Sequence, residues 1–292
     1  MKHLRNKVDG LLNFSDYKNI GSKIFYGVII FLLVMFALTA IIPILWLFIT
    51  SFKTVSEINS PDYQLFPQVF DLKKMLDVWN KVNFGRYYLN TLIVVVGAVI
   101  CSVVFNGLLA YAVGVLKPFG YKVINALVLL GYMVPAALAI FPLLMSLSEI
   151  GMINNYIPLW LMFGANAYYY LLFKDSFEKI PVALIEAARV DGMSDFKIFF
   201  KIIIPLSKSI IGVVAIFTMT AAYSDFLLPY TILQDETMQT VMVGVYRLSS
   251  TTTLDASELL MLLVISIIPQ IIIFVIFQKQ IMNNSANSGM KE

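Results

Sequence analysis

Charge, cysteine and histidine are all scarce in this sequence. Of its 292 residues only 13% are charged and 59% are hydrophobic, whereas soluble globular chains carry about a quarter charged and about one half apolar. The chain therefore reads as an integral membrane protein. Its net charge of +3 is too small to argue for a nucleic-acid partner. A single cysteine, Cys101, excludes an intramolecular disulfide; it sits in the apolar run Ile93 to Val104 and is expected to pack as a small hydrophobe. A single histidine, His3, leaves no cluster with metal-ligand spacing, so no metal site is expected. The pattern G-x-x-x-x-G-K followed by Ser or Thr does not occur, so a phosphate-cradling loop is absent. No catalytic residue and no cofactor are expected here, and any nucleotide hydrolysis must be supplied by another chain.

What is present is a series of long apolar runs. About 20 residues cross a hydrocarbon core, and six stretches qualify: Ile24–Phe48, Tyr88–Val115, Val123–Leu147, Tyr156–Phe173, Ile210–Leu233 and Glu258–Phe277. The first is longer than a signal-peptide core and lacks a small-x-small cleavage site, so it should stay as an anchor. Pro43 is expected to kink the first span, and Pro135 and Pro142 interrupt the third, where neighbouring groups must satisfy the freed carbonyls. Residues 51–87 form a polar connection with short helical pieces, one over Leu72–Asn80. The expected organisation is all-α: a tail at 1–23, a six-helix membrane domain at 24–277, and a polar tail at 278–292. Six spans put both ends on one side. Lys53, Lys73, Lys74, Lys81, Arg86 and Arg247 fall on the opposite side, which leaves 15 of the 21 lysines and arginines with the termini, the 117–122 turn and the 174–209 loop. That excess places both termini and this loop in the cytoplasm.

The loop holds the densest set of charges, in PVALIEAARVDGMSDFKIFFKIIIP from Pro181 to Pro205. Pro181 suits a first helical position, and Gly192 stands where a C-terminal cap needs a positive φ. Ser194 is expected to N-cap a second helix, with Asp195 in its first turn. In that helix Phe196, Phe199, Phe200 and Ile203 recur at i, i+3, i+4 and i+7, while Lys197 and Lys201 share another face. Glu186 and Arg189 are spaced for a weak surface pair. On periodicity alone, an ordinary amphipathic connector accounts for the stretch equally well.

The stretch resembles the EAA loop of ABC importer permeases on Glu186, Ala187, Ala188, Asp191, Gly192, Phe199 and Pro205. The resemblance implies a type I importer permease whose short cytoplasmic coupling helix docks in a cleft on an ATPase subunit. It implies coupling roles for Glu186, Ala187, Ala188, Asp191, Gly192 and Pro205. Further segments are similar to the carbohydrate-importing branch: Tyr88–Leu92, Ala110–Ala112, Gly151–Tyr156, Tyr223–Phe226 with Pro229, and Ser288–Lys291. Departures are Val182, Ala183 and Leu184 in place of the usual acids, Ser209 in place of a second proline, and Tyr223 and Ser224 in place of Trp and Asn.

The resemblance implies a multi-pass plasma-membrane protein in contact with lipid. It also implies pairing as a heterodimer with a second permease, and assembly with two ATPase subunits, which would carry ATP and Mg, and with an extracytoplasmic solute-binding protein. The implied function is ATP-driven, binding-protein-dependent import of a sugar or oligosaccharide. Alternatives are the same architecture carrying a polyamine or a phosphorylated compound, and a stand-alone secondary transporter. Asp225 is the one carboxylate inside an expected span, ~24 Å along its helix from Ser209 at about 1.5 Å per residue. An ionisable residue there is a pathway candidate, although a snorkelling or helix-pairing aspartate fits equally. Asn106, Asn166, Tyr223 and Ser224 are further candidates for contacts with a hydroxyl-rich solute.

Overall fold

The computed structural model describes residues 20–62, 64–250 and 253–289. The basic residues of the N-terminal tail up to Lys18, and Met290–Lys291 of the terminal motif, lie outside the described residues. Every regular element among the described residues is a helix.

Two compact units divide the chain at Asp71. The first contains α1 (Ile20–Ser51) and the single turn α2 (Val55–Ile58). Helix α1 is apolar all round, the pattern of a span facing lipid; Pro43 stays within it, and side chains from Ile24 to Phe48 are exposed along its length. Beyond it Phe52 packs on Phe48 and Phe70, with ring centroids 5.4 and 5.5 Å apart. Thr54 and Glu57 form a reciprocal capping box, which is why the chain turns there.

The second unit runs from Leu72. Helix α3 (Lys73–Lys81) matches the short piece expected in the polar connection, and Lys81 bonds Glu258 at 2.7 Å. Helix α4 (Phe84–Leu116) is one long rod that includes two π-helical turns, Ser102–Asn106 and Tyr111–Leu116. A turn follows, with Lys117 and Gly120 both at positive φ. The third apolar stretch is two helices rather than one, α5 (Tyr121–Met133) and α6 (Ala136–Glu149), bent by 108°. Of its two prolines, Pro135 marks the break and Pro142 is accommodated inside α6. The fourth stretch is likewise divided, into α7 (Ile157–Gly164) and α8 (Ala167–Phe177). Then come α9 (Val182–Val190), α10 (Asp195–Leu206), α11 (Lys208–Ser224), α12 (Leu227–Ile232), α13 (Val241–Ser249) and α14 (Ala256–Gly289).

Among the described residues three helices are long and apolar enough to cross a membrane, namely Ile20–Ser51, Phe84–Leu116 and Ala256–Gln278. The number rises to five if each bent pair, α5 with α6 and α10 with α11, counts as one span. The fourth stretch falls short of that test because it is broken. Packing rather than water exclusion holds such spans together, and small residues let backbones approach. Gly164 shows this: a Cβ there would lie 2.9 Å from the Phe105 ring and 3.3 Å from the Cys101 carbonyl oxygen. Tyr111, Tyr170, Phe173, Phe177, Ile198, Phe199 and Val214 build one buried cluster next to the charged segment. A second cluster contains Val94, Leu147, Leu159, Ile232 and Leu233.

Candidate functional site: the segment from Pro181 to Pro205

Helix α9 begins one residue after Pro181, whose ψ of 125° makes it the N-cap rather than the first helical residue. The helix ends as its sequence demands. The Gly192 N–H donates to the Arg189 carbonyl and the Met193 N–H to the Ala188 carbonyl, both at 3.0 Å, with Gly192 at φ 78°. This is a Schellman motif, and only the residue at positive φ needs to be glycine. Space does not explain the choice, since an added Cβ at Gly192 would meet nothing within 4 Å.

Ser194 takes the N-cap position of α10 without a side-chain cap bond; its carbonyl, not its hydroxyl, accepts from Ile198. Asp195 lies in the first turn, as read from the sequence. Its carboxylate reaches back across the turn to Arg189, whose Nη2 and Nε donate at 3.0 and 3.2 Å. Arg189 therefore pairs with Asp195 instead of Glu186, because Gly192 folds α10 back towards the guanidinium.

The apolar face of α10 differs from the one periodicity implies. Ile198, Phe199 and Ile203 are fully buried, whereas Phe196 and Phe200 are 67% and 51% exposed. A π-helical turn from Phe199 to Ile203 is responsible. An i→i+5 turn takes up an extra residue and rotates the inward face. Lys197 and Lys201 are exposed.

Two sides of the segment result. Inward, Ile185, Ala188, Phe199 and Ile203 join the core, with the Phe199 ring 5.5 Å from Tyr111 and 6.4 Å from Phe177. Outward, Glu186, Ala187, Asp191, Gly192 and Pro205 are exposed alongside Leu184, Val190, Phe196 and Phe200. Helices α10 and α11 meet at 84°, so the segment lies across the end of the fifth stretch instead of continuing it. An exposed mixture of large apolar and charged side chains on a bent helix pair suits a partner protein.

The pathway candidates fall into two groups. Asn106 and Asn166 are brought together, with the Asn166 N–H donating to Asn106 Oδ1 at 2.9 Å. Tyr223, Ser224 and Asp225 lie where α11 ends. Tyr223 is buried and its hydroxyl donates to the Ser266 carbonyl at 2.6 Å, and the Ser224 hydroxyl bonds the Thr220 carbonyl. Asp225 is not within a helix: it is the extended residue between α11 and α12, and its carboxylate faces the amides of Leu227 and Leu228.

Residues outside the expected set hold the connection between α12 and α13. Asn90, 6% exposed, donates from Nδ2 to the carbonyls of Thr237 and Gln239 at 2.9 Å. The Thr91 hydroxyl accepts from the Val241 N–H at 2.9 Å. Asn154, at φ 57°, accepts from the Asp235 N–H at 2.8 Å, and Tyr156 donates to the Met238 carbonyl. The signal was the pair of motifs Tyr88–Leu92 and Gly151–Tyr156, whose polar residues are the ones used. The Thr237 amide and hydroxyl hold the Asp235 carboxyl below its usual range.

Comparison with known proteins gives a consistent picture. The family described as binding-protein-dependent transport system inner membrane component matches residues 103–283. The diacetylchitobiose uptake system permease protein NgcG of Streptomyces coelicolor is 30% identical over 254 residues, covering 86% of this chain and 84% of that protein. The galactooligosaccharides transport system permease protein GanQ of Bacillus subtilis is 31% identical over 276 residues, covering 89% and 93%. A chain of a bacterial ABC transporter that imports the acidic polysaccharide alginate superposes with a TM-score of 0.79 at 25% identity, covering 89% of this chain and 98% of that one.

Proposed function

Because this chain belongs to the inner membrane components of binding-protein-dependent transport systems, we propose that it carries a sugar or oligosaccharide and is driven through the segment Pro181–Pro205. It is a membrane permease subunit of an ABC importer, a transport protein rather than an enzyme. The relatives' named solutes are saccharides, which supports the sugar reading over a polyamine or phosphorylated compound.

The observation that carries the coupling role is the two-sided segment. Its outward face, with Glu186, Ala187, Asp191, Gly192 and Pro205, is the docking surface for a cytosolic ATPase, and Ala188 keeps α9 close to the core. ATP and Mg are held by two ATPase subunits; a second permease completes the pathway, and an external binding protein delivers solute at the outer connection. Both termini and the segment lie in the cytoplasm, in the sense that the lysine and arginine asymmetry gives. Closure of the ATPase pair displaces α9 and α10 as one body, because packed elements move between discrete arrangements. For the pathway, Ser224 and Asp225 remain the candidates at a helix break with accessible polar atoms.

The reading is tested by reconstituting the chain with its partner permease, the ATPase and the binding protein in liposomes. ATP-dependent uptake of an oligosaccharide that the binding protein binds is expected. Uptake by this chain alone without ATP would replace the reading with that of a secondary transporter.

A further inference from the structure

The fourth apolar stretch is broken between α7 and α8, and one side chain from another helix bonds two of the backbone groups that the break frees. In a continuous helix the Phe163 carbonyl would accept from residue 167 and the Asn166 N–H would donate to residue 162. Asn106 of α4, 2% exposed, takes both places. Its Nδ2 donates to the Phe163 carbonyl and its Oδ1 accepts from the Asn166 N–H, each at 2.9 Å. The same Nδ2 donates to the Ser102 carbonyl at 2.8 Å, within the first π-helical turn of α4. Asn166 then accepts from the Tyr169 N–H at 3.1 Å, capping α8. A carboxamide presents two N–H donors and an acceptor on separate atoms of one short head; Asp lacks the donor when ionised and Leu lacks both.

Two contacts connect this joint to its surroundings. The Ser102 hydroxyl bonds that of Thr218 in α11 at 3.0 Å. Next to Asn106, Gly107 lies against the Phe199 ring, whose Cζ would be 3.4 Å from an added Cβ. One turn on, Tyr111 packs on the same ring. Phe199 is one of three fully buried residues of α10, and its ring is where the Pro181–Pro205 segment touches α4 beside the position that holds the joint.

We propose that Asn106 is a positioning residue for transport: it sets the arrangement of α7 against α8, and Phe199, pressing on Gly107 and Tyr111, relays movement of the coupling segment to that joint. The proposal rests on the coupling role given above. On this proposal the helix break is the element that changes arrangement, which is what coupling between distant sites needs.

The test uses the whole transporter in liposomes, with oligosaccharide uptake and binding-protein-stimulated ATP hydrolysis measured on the same preparation. Asn106→Ala is expected to hydrolyse ATP within about twofold of wild type while solute carried per ATP falls at least tenfold. Should that variant not assemble, the same pair of measurements on Asn106→Asp decides, since it keeps the volume and the acceptor for Asn166 but removes the donor to Phe163. Uptake and hydrolysis that fall in proportion, or that both stay unchanged, overturn the proposal, as does failure of both variants to assemble, which marks a fold residue only. If Gly192→Val uncouples transport while the Asn106 variants remain coupled, this inference alone is lost. If Gly192→Val transports normally, the coupling role beneath it is lost as well.

Discussion

Arg189 and Asp195 face each other across the Gly192 turn, with the guanidinium Nη2 3.0 Å from the carboxylate. The pair ties the end of α9 to the start of α10, on the outward side of a segment whose inward side is fastened by Phe199 and Ile203. Both side chains are about half exposed, at 48% and 49%. Exposed pairs contribute roughly 0.2–1 kcal/mol, so a double-mutant cycle with Arg189→Ala and Asp195→Ala should return a coupling energy in that range that shrinks with added salt. Thermal unfolding in detergent at low and high salt measures it.

Gly192 should be graded by the φ its replacement tolerates. A residue with a Cβ costs about 1–2 kcal/mol in the left-handed region, and Asn is the mildest substitute there. Gly192→Asn is expected to transport best, Gly192→Ala less well, and Gly192→Val at least tenfold below wild type, with all three present in the membrane at similar levels. Uptake normalised to membrane content checks the order.

Ala187 and Ala188 are neighbours with opposite surroundings, the first exposed and the second 5% exposed within the core. Overpacking a filled interior costs about 1–3 kcal/mol, so Ala188→Leu should lower the thermal stability of the permease itself. Ala187→Leu should leave that stability unchanged and weaken retention of the ATPase subunit. Unfolding temperature and co-purification, measured on both variants, separate the two effects.

Asn90 anchors the connection between α12 and α13 through the carbonyls of Thr237 and Gln239. Leaving buried partners unsatisfied costs about 1–3 kcal/mol. In Asn90→Leu the 233–257 segment should become several-fold more sensitive to protease added outside, while cleavage at the Gly192 turn from the inside stays the same. Time-resolved limited proteolysis of oriented vesicles reports both.

Much of this was legible in the residues. The φ of Gly192, the first-turn place of Asp195 and the short α3 follow from local chemistry, because each depends on neighbours in sequence. The inward face of α10 was not legible, since a 3.6-residue period cannot anticipate the π-helical turn at Phe199–Ile203. Arg189 was read with Glu186 on one helix, but the folded turn brings Asp195 closer. Asn106 and Asp225 were read as pathway candidates on their polarity within apolar runs, with helix pairing or snorkelling as the other reading of Asp225. The same polarity serves backbone groups freed at helix breaks, and only the fold shows that Phe163 and Asn166, or Leu227 and Leu228, are their partners.

The central claim is that the outward face of α9 is gripped by the ATPase. It is tested most directly by Ala187→Cys in a chain carrying Cys101→Ser, cross-linked with a short bifunctional thiol reagent to single cysteines placed around the ATPase cleft. A cross-link in the assembled transporter, with a yield that changes between nucleotide-free and ATP-bound states, is the predicted result. No cross-link in any state, together with labelling of Ala187→Cys by an impermeant thiol reagent from outside, would contradict it.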